Sequence, residues 1–87
     1  MAENGDVTEM LKDLTLLLLY LSSWEEEPIR GAPTIRRAWK NHRFEVLDAL
    51  AEEGLLVTPH RAKWVRFTDE GLARAKVLEE RMSRPRS

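Results

Sequence analysis

Four cations stand around two aromatic rings in the stretch "RRAWKNHRFEVL", which runs from Arg36 to Leu47. Arg36, Arg37, Lys40 and Arg43 surround Trp39 and Phe44, with Asn41 and His42 between them, and the first acid is Glu45. Cations interleaved with aromatics suit nucleic acid, because the charges meet phosphates and a ring offers a stacking face. Three more cations, Arg61, Lys63 and Arg66, gather beside Trp64 in "RAKWVRF". A plainer reading also exists. In a small domain most aromatics are core mass and most charges are solvated. Trp39 and Phe44 are assigned here to the core of a corner between two helices, with the cations pointing outward. Trp64 stays open between a covered position against a helix and an exposed contact.

Other chemistries are poorly served. The chain has no Cys, so it has neither disulfide nor thiolate site, which fits a reducing cytoplasm. His42 and His60 lie far apart in sequence without a carboxylate at metal-binding spacing, so no metal and no cofactor is expected. The serines lack the setting of a nucleophile elbow, and the four glycines form no phosphate-cradling loop. Glu52–Glu53 and Glu79–Glu80 are adjacent on helices, where neighbours diverge, so paired acid–base work is not indicated. The expectation is a protein that is not an enzyme.

Charge is unevenly spread. Residues 1–27 hold seven acids and one Lys, residues 28–68 eight cations and four acids, and residues 69–87 five cations and four acids. The net charge of -1 therefore conceals a basic middle. The acidic N-terminus lacks the basic start of a signal peptide, and the run Leu16–Leu21 is far too short for a membrane span, so a cytoplasmic protein is expected.

The elements that position these residues follow from periodicity. Asp6 and Glu9 form a capping box for a first helix with a stripe of Val7, Met10, Leu14, Leu17, Leu21 and Trp24. Leu11 and Leu18 widen that stripe. Leu16, Leu19 and Tyr20 fall off it, and a helix apolar nearly all round is buried on more than one side. That surplus predicts a homodimer through Leu16, Leu19 and Tyr20, with Trp64 as a further interface candidate. "EEEPIRGAPT" (Glu25–Thr34) breaks the chain. Thr34 caps a short helix, Ile35–Lys40, and Asn41 caps the next, His42–Glu53, whose apolar set is Phe44, Val46, Leu47, Leu50 and Ala51. Gly54 stops it. Leu55–Val57 and Lys63–Phe67 form a hairpin with Val65 and Phe67 on one side and Trp64 and Arg66 on the other. Thr68 caps a last helix to about Met82, with Leu72, Ala75, Leu78 and Met82 facing in.

The expected fold is mostly α with a small β-hairpin, a winged helix-turn-helix of order α-α-α-β-β-α, in a single domain over residues 1–87 with frayed ends at about 1–5 and 83–87. "FEVLDALAEEGLLVTPHRAKWVRFTDEGLARA" (Phe44–Ala75) resembles the C-terminal half of bacterial winged-helix regulators. "LTLLLLYLSSWEE", "RRAWKNHRFEVLDALAEEGLL" and "RAKWVRFTDEGLARAKVL" resemble a family of short bacterial proteins, domain-of-unknown-function family 6429. That resemblance implies no activity and no catalytic residue. This chain departs from the family pattern in a longer linker between Trp24 and Arg36, and in having Trp64 and Arg66 in the wing.

The leading expectation is weak binding of duplex DNA, as in transcriptional regulation, through Arg36, Arg37, Lys40, Asn41, His42, Arg43, Arg61, Lys63 and Arg66. The alternative is a protein–protein interaction module without nucleic acid, favoured by the acidic face Glu45, Asp48, Glu52 and Glu53 on the would-be recognition helix. No small-molecule ligand is indicated.

Overall fold

The computed structural model describes residues 4–27 and 29–83, with side chains from Val7 onward. Seven elements follow one another: α1 (Asn4–Leu21), β1 (Trp24–Glu26), β2 (Ile35–Trp39), α2 (Phe44–Glu52), β3 (Leu56–Val57), β4 (Trp64–Phe67) and α3 (Asp69–Ser83). The strands form one antiparallel sheet in the order β1-β2-β4-β3. The fold is therefore mixed α/β, α-β-β-α-β-β-α, and not α-α-α-β-β-α.

The main correction lies at residues 35–40. The segment expected to be a short helix is β2, a central strand. Ala38 pairs with Val65 and is fully buried there. Spacing alone allowed a helical face of Ile35, Ala38 and Trp39, but the alternation Ile35, Arg37, Trp39 against Arg36, Ala38 is equally regular. Pairing on both edges, with β1 and β4, decides for the strand. With that, the helix-turn-helix disappears. Trp24 does not close the first helix, which ends at Leu21, but opens β1. Glu25 and Glu26, expected in an irregular breaker, pair with Arg36 and Ile35. The turn that follows uses Gly31 at φ 86°, and Ala32 N–H donates to Ile29 C=O at 2.8 Å. Pro28 lies outside the described residues, as do residues 1–3 and 84–87, which include most of both expected frayed ends. The side chain of Asp6, half of the expected capping box, also lies outside them.

The core joins Leu16, Leu17 and Leu19 of α1, Val46, Leu47 and Leu50 of α2, and Ala75 and Leu78 of α3 to Ala38, Leu56, Val65 and Phe67 of the sheet. This overturns the phase given to α1. Leu16 and Leu19, expected to meet a second copy, are buried at the centre of their own chain, and Tyr20 packs against the core with its ring 6.0 Å edge-on from Phe67. The main stripe is largely the exposed side: Val7, Met10, Leu14 and Leu21 lie in solvent, although Leu17 is buried. The four-stranded sheet supplies the apolar cover that the expected two-stranded hairpin lacked.

Around Gly54 and Thr68 the reading holds. Gly54 ends α2 at φ 80°. Thr68 Oγ1 accepts from Gly71 N–H at 2.9 Å and donates to Gly54 C=O at 2.6 Å, tying the start of α3 to the end of α2. The α2 start differs: the helix begins at Phe44 behind Arg43, whose side chain makes no cap, so Asn41 does not cap it. Met82 was expected to face in but is exposed. Ion pairs close the periphery. Lys12 bridges Glu9 and Glu53, and these hydrogen bonds, Glu53 first, raise its pKa; Asp13 does the same for Arg74 at 2.9 Å. Among the described residues no helix is long and apolar enough to cross a membrane.

Two substitutions test this arrangement. A Cβ on Gly71 would lie 1.9 Å from the Leu55 carbonyl oxygen, so Gly71→Ala should cost about 3 kcal/mol in denaturant unfolding. Leu19→Glu and Leu47→Asp bury unpaired carboxylates and should each abolish the cooperative transition. A wild-type melting curve for Leu19→Glu would mean that α1 is rotated.

Candidate nucleic-acid interface

Strand geometry sorts the basic middle of the chain into two surfaces. Side chains alternate, so Ala38, Val65, Phe67 and Leu56 face the helices while Trp39, Arg37, Ile35, Trp64 and Arg66 face away. Trp24 and Glu26 of β1 join the outer face, opposite Arg37 and Ile35. All three tryptophans of the chain thus stand on the face of the sheet turned from the core.

They are joined to one another. Trp24 packs against Trp39 with centroids 5.0 Å apart and the rings tilted by 43°. The Arg37 guanidinium lies 4.0 Å over the Trp64 ring and pairs with Glu26 at 2.9 Å, while Trp24 Nε1 donates to the same Glu26 oxygen at 3.2 Å. Arg66 sits directly across from Arg37, a like-charge pair that Glu26 offsets on the Arg37 side. Arg37 Nε is buried without a partner. Arg36 points to the helix side, where it pairs with Glu25 at 3.0 Å, donates to Ser23 Oγ at 2.8 Å and lies 5.1 Å over Tyr20. Arg36 and Arg37 are therefore engaged within the fold and do not stand free as expected. Trp64 is half-buried on the face turned from the helices, so the helix-covered position is ruled out; what covers it is the Arg37 guanidinium.

The second surface is a cleft of 490 Å³ where the β2–α2 turn meets the β3–β4 loop. Lys40, Asn41 and His42 from the turn and Lys63 from the hairpin line it together with Trp39, Phe44, His60 and Ala62. Lys40 holds the two loops together, its backbone N–H donating to Lys63 C=O at 2.8 Å and its Nζ to Pro59 C=O at 2.7 Å. Arg43 and Arg61, next in sequence to the lining residues, are exposed. A contiguous depression of 310 Å³ continues past Thr58 to Asp48. The aromatic walls are open: Trp39 is 53% and Phe44 71% exposed. Both were assigned to the core, and both assignments are corrected. Trp39 lies on the outer side of β2, and Phe44 is the first residue of α2, where its side chain falls on the cleft side and not with Val46, Leu47 and Leu50. His60 was weighed only as a metal ligand and not as part of this surface; its signal was the loop proline before it and the cations that follow. The cleft thus offers two rings, two lysines and two histidines, with one carboxylate at its far end.

The sequence match with a protein-family model runs over residues 7–84 and carries the description Domain of unknown function (DUF6429). The chain belongs to the DUF6429 family. No curated protein matches it. No solved structure matches it either. In this DUF6429 chain the match takes in every element from the second turn of α1 to the end of α3, and so both faces of the sheet and the whole cleft.

Exposure separates the aromatic residues in a measurable way. Trp39→Ala and Phe44→Ala should each shift stability by less than about 1 kcal/mol, whereas Phe67→Ala, 4% exposed, should cost about 3–5 kcal/mol. Urea melts of the three variants check this. A large loss at Phe44 would close the cleft.

Proposed function

We propose that this protein binds single-stranded nucleic acid, without catalysing a reaction, in the cleft between the β2–α2 turn and the β3–β4 hairpin. The supporting observation is the grouping of two exposed rings, Trp39 and Phe44, with Lys40 and Lys63 in the lining of one 490 Å³ cleft. Unstacked bases lie on such rings whatever their sequence, and the cations follow the phosphates. Arg43, Arg61 and Arg66 extend the positive path on either side. The cysteine-free composition fits a reducing, cytoplasmic setting.

A duplex is the poorer ligand. No helix-turn-helix occurs among the described residues, and α2 turns Glu45, Asp48 and Glu52 to solvent, where a groove would bring phosphates against them. The likeness to winged-helix regulators covers Phe44–Ala75 alone and does not extend to β1 and β2. The competing reading, an interaction module that never meets nucleic acid, draws on Arg36 and Arg37 being ion-paired within the sheet.

Fluorescence anisotropy with a labelled oligothymidine at low salt tests the proposal. With roughly three to five phosphate contacts, the slope of log K against log salt should be about -2 to -3.5 for a single strand. Lys40→Gln with Lys63→Gln should flatten it by about 1.4, the share of two contacts. Trp39→Ala and Phe44→Ala should weaken binding by about 1–3 kcal/mol each and leave the slope unchanged. The same strand in a duplex should bind more weakly. No salt-sensitive binding of either form would leave the interaction module standing.

A further inference from the structure

We propose that two copies of this chain pair through α1 in antiparallel register, along the seam Val7, Leu11, Leu14, Leu18 and Leu21. These residues follow one another at spacings of four, three, four and three, the repeat of a helix that packs along a second helix. All five are between 41% and 58% exposed, although each is a large apolar side chain. At 3.6 residues per turn the seam lies about half a turn from Leu16, the fully buried residue that anchors α1 to the core. The helix thus carries two apolar faces, and its own chain covers only one.

Area and charge identify the occupant. With Met10 beside the seam and Met82 from α3 across a 390 Å³ groove, whose rim carries Asp13 and Arg81, the exposed apolar surface is on the order of 800 Å² per chain, the amount each partner of a standard interface contributes. The charged side chains of α1 from Val7 onward are ion-paired within the chain, Lys12 with Glu9 and Glu53, and Asp13 with Arg74. The seam is left without charge, which suits an identical seam and does not suit nucleic acid. Direction follows from the helix dipoles. Parallel helices would set two α1 N-termini, with like partial charges, side by side. Antiparallel helices separate them and align opposed helix dipoles. Leu14 then lies on the two-fold axis, with Leu11 against the partner's Leu18 and Val7 against the partner's Leu21. Because the seam and the open face of the sheet are on opposite sides of the core, pairing leaves the cleft uncovered, and the inference stands apart from the nucleic-acid proposal.

Sedimentation equilibrium of the full chain at micromolar concentration should give twice the chain mass. Leu14→Glu and Leu18→Glu should each weaken dimerisation by roughly 100-fold or more while the circular dichroism spectrum and oligothymidine binding per chain stay as in wild type. The chain has no cysteine, so direction can be read by single replacements. Under mild oxidation Leu14→Cys should cross-link to itself, and Val7→Cys should cross-link to Leu21→Cys but not to itself. A wild-type protein that remains monomeric at high micromolar concentration overturns the dimer. A Val7→Cys chain that cross-links readily to itself overturns the antiparallel arrangement.

Discussion

Ala38 pairs with Val65 in the middle of the sheet, and both side chains are fully buried. That pairing sets the phase of the whole molecule. Because strand side chains alternate, burying Ala38 and Val65 against the helices forces Arg37, Trp39, Trp64 and Arg66 to the other side. A slip of one residue would bury two arginines and two tryptophans and expose Ala38, Val65 and Phe67. Ala38 also keeps the middle of the sheet thin where the helices pack, since a larger residue at a fully buried position would crowd the core. The outer face is a consequence of the inner one: rings and guanidinium groups there cover one another because no helix does.

The cleft depends on the same register. Trp39 is the last residue of β2, paired with Trp64 as the first of β4, so the chain leaves the sheet at Lys40 and enters it at Lys63 side by side. The bond from Lys40 N–H to Lys63 C=O extends the ladder by one step, and Lys40 Nζ reaches over to Pro59. Two loops distant in sequence are clamped at one end of the sheet, and their cations converge. Phe44 is left exposed because α2 starts immediately after this clamp, two residues before Val46, the first of the helix to enter the core.

How far the sequence revealed this depends on how local each decision was. Gly54, Thr68, the hairpin from Leu56 to Phe67 and the stripe of α3 through Ala75 and Leu78 were legible, since each is fixed by neighbours a few residues away. Ile35–Trp39 was not. Its five residues fit a helical face and a strand alternation equally, and what chooses between them is Val65, nearly thirty positions on. The phase of α1 failed for a related reason. From Leu14 to Leu21 only Thr15 is polar, so two seams compete, and which one is buried is settled by where the sheet lies. With β1 and β2 missing from the expected fold, Leu16 and Leu19 had too little cover within the chain and were given to a partner. For the cleft, the turn and wing cations were found from composition, while Trp39 and Phe44 were placed in the core because burial is the commoner fate of an aromatic ring.

The two errors share a physical origin that bears on function. Small chains bury a modest part of their surface, and a sequence must spend apolar residues on more than its core when it has partners to meet. Here the surplus sits in two places with different chemistry. On the sheet and at the cleft it is aromatic and interleaved with cations, which suits a ligand that is flat and negatively charged. On α1 it is aliphatic, uncharged and spaced in heptads, which suits another helix. A single sticky surface would mix these residues. Their separation to opposite sides of one small core, with Arg36, Arg37, Lys12 and Asp13 each neutralised inside the chain, argues for two distinct contacts that can be made at the same time.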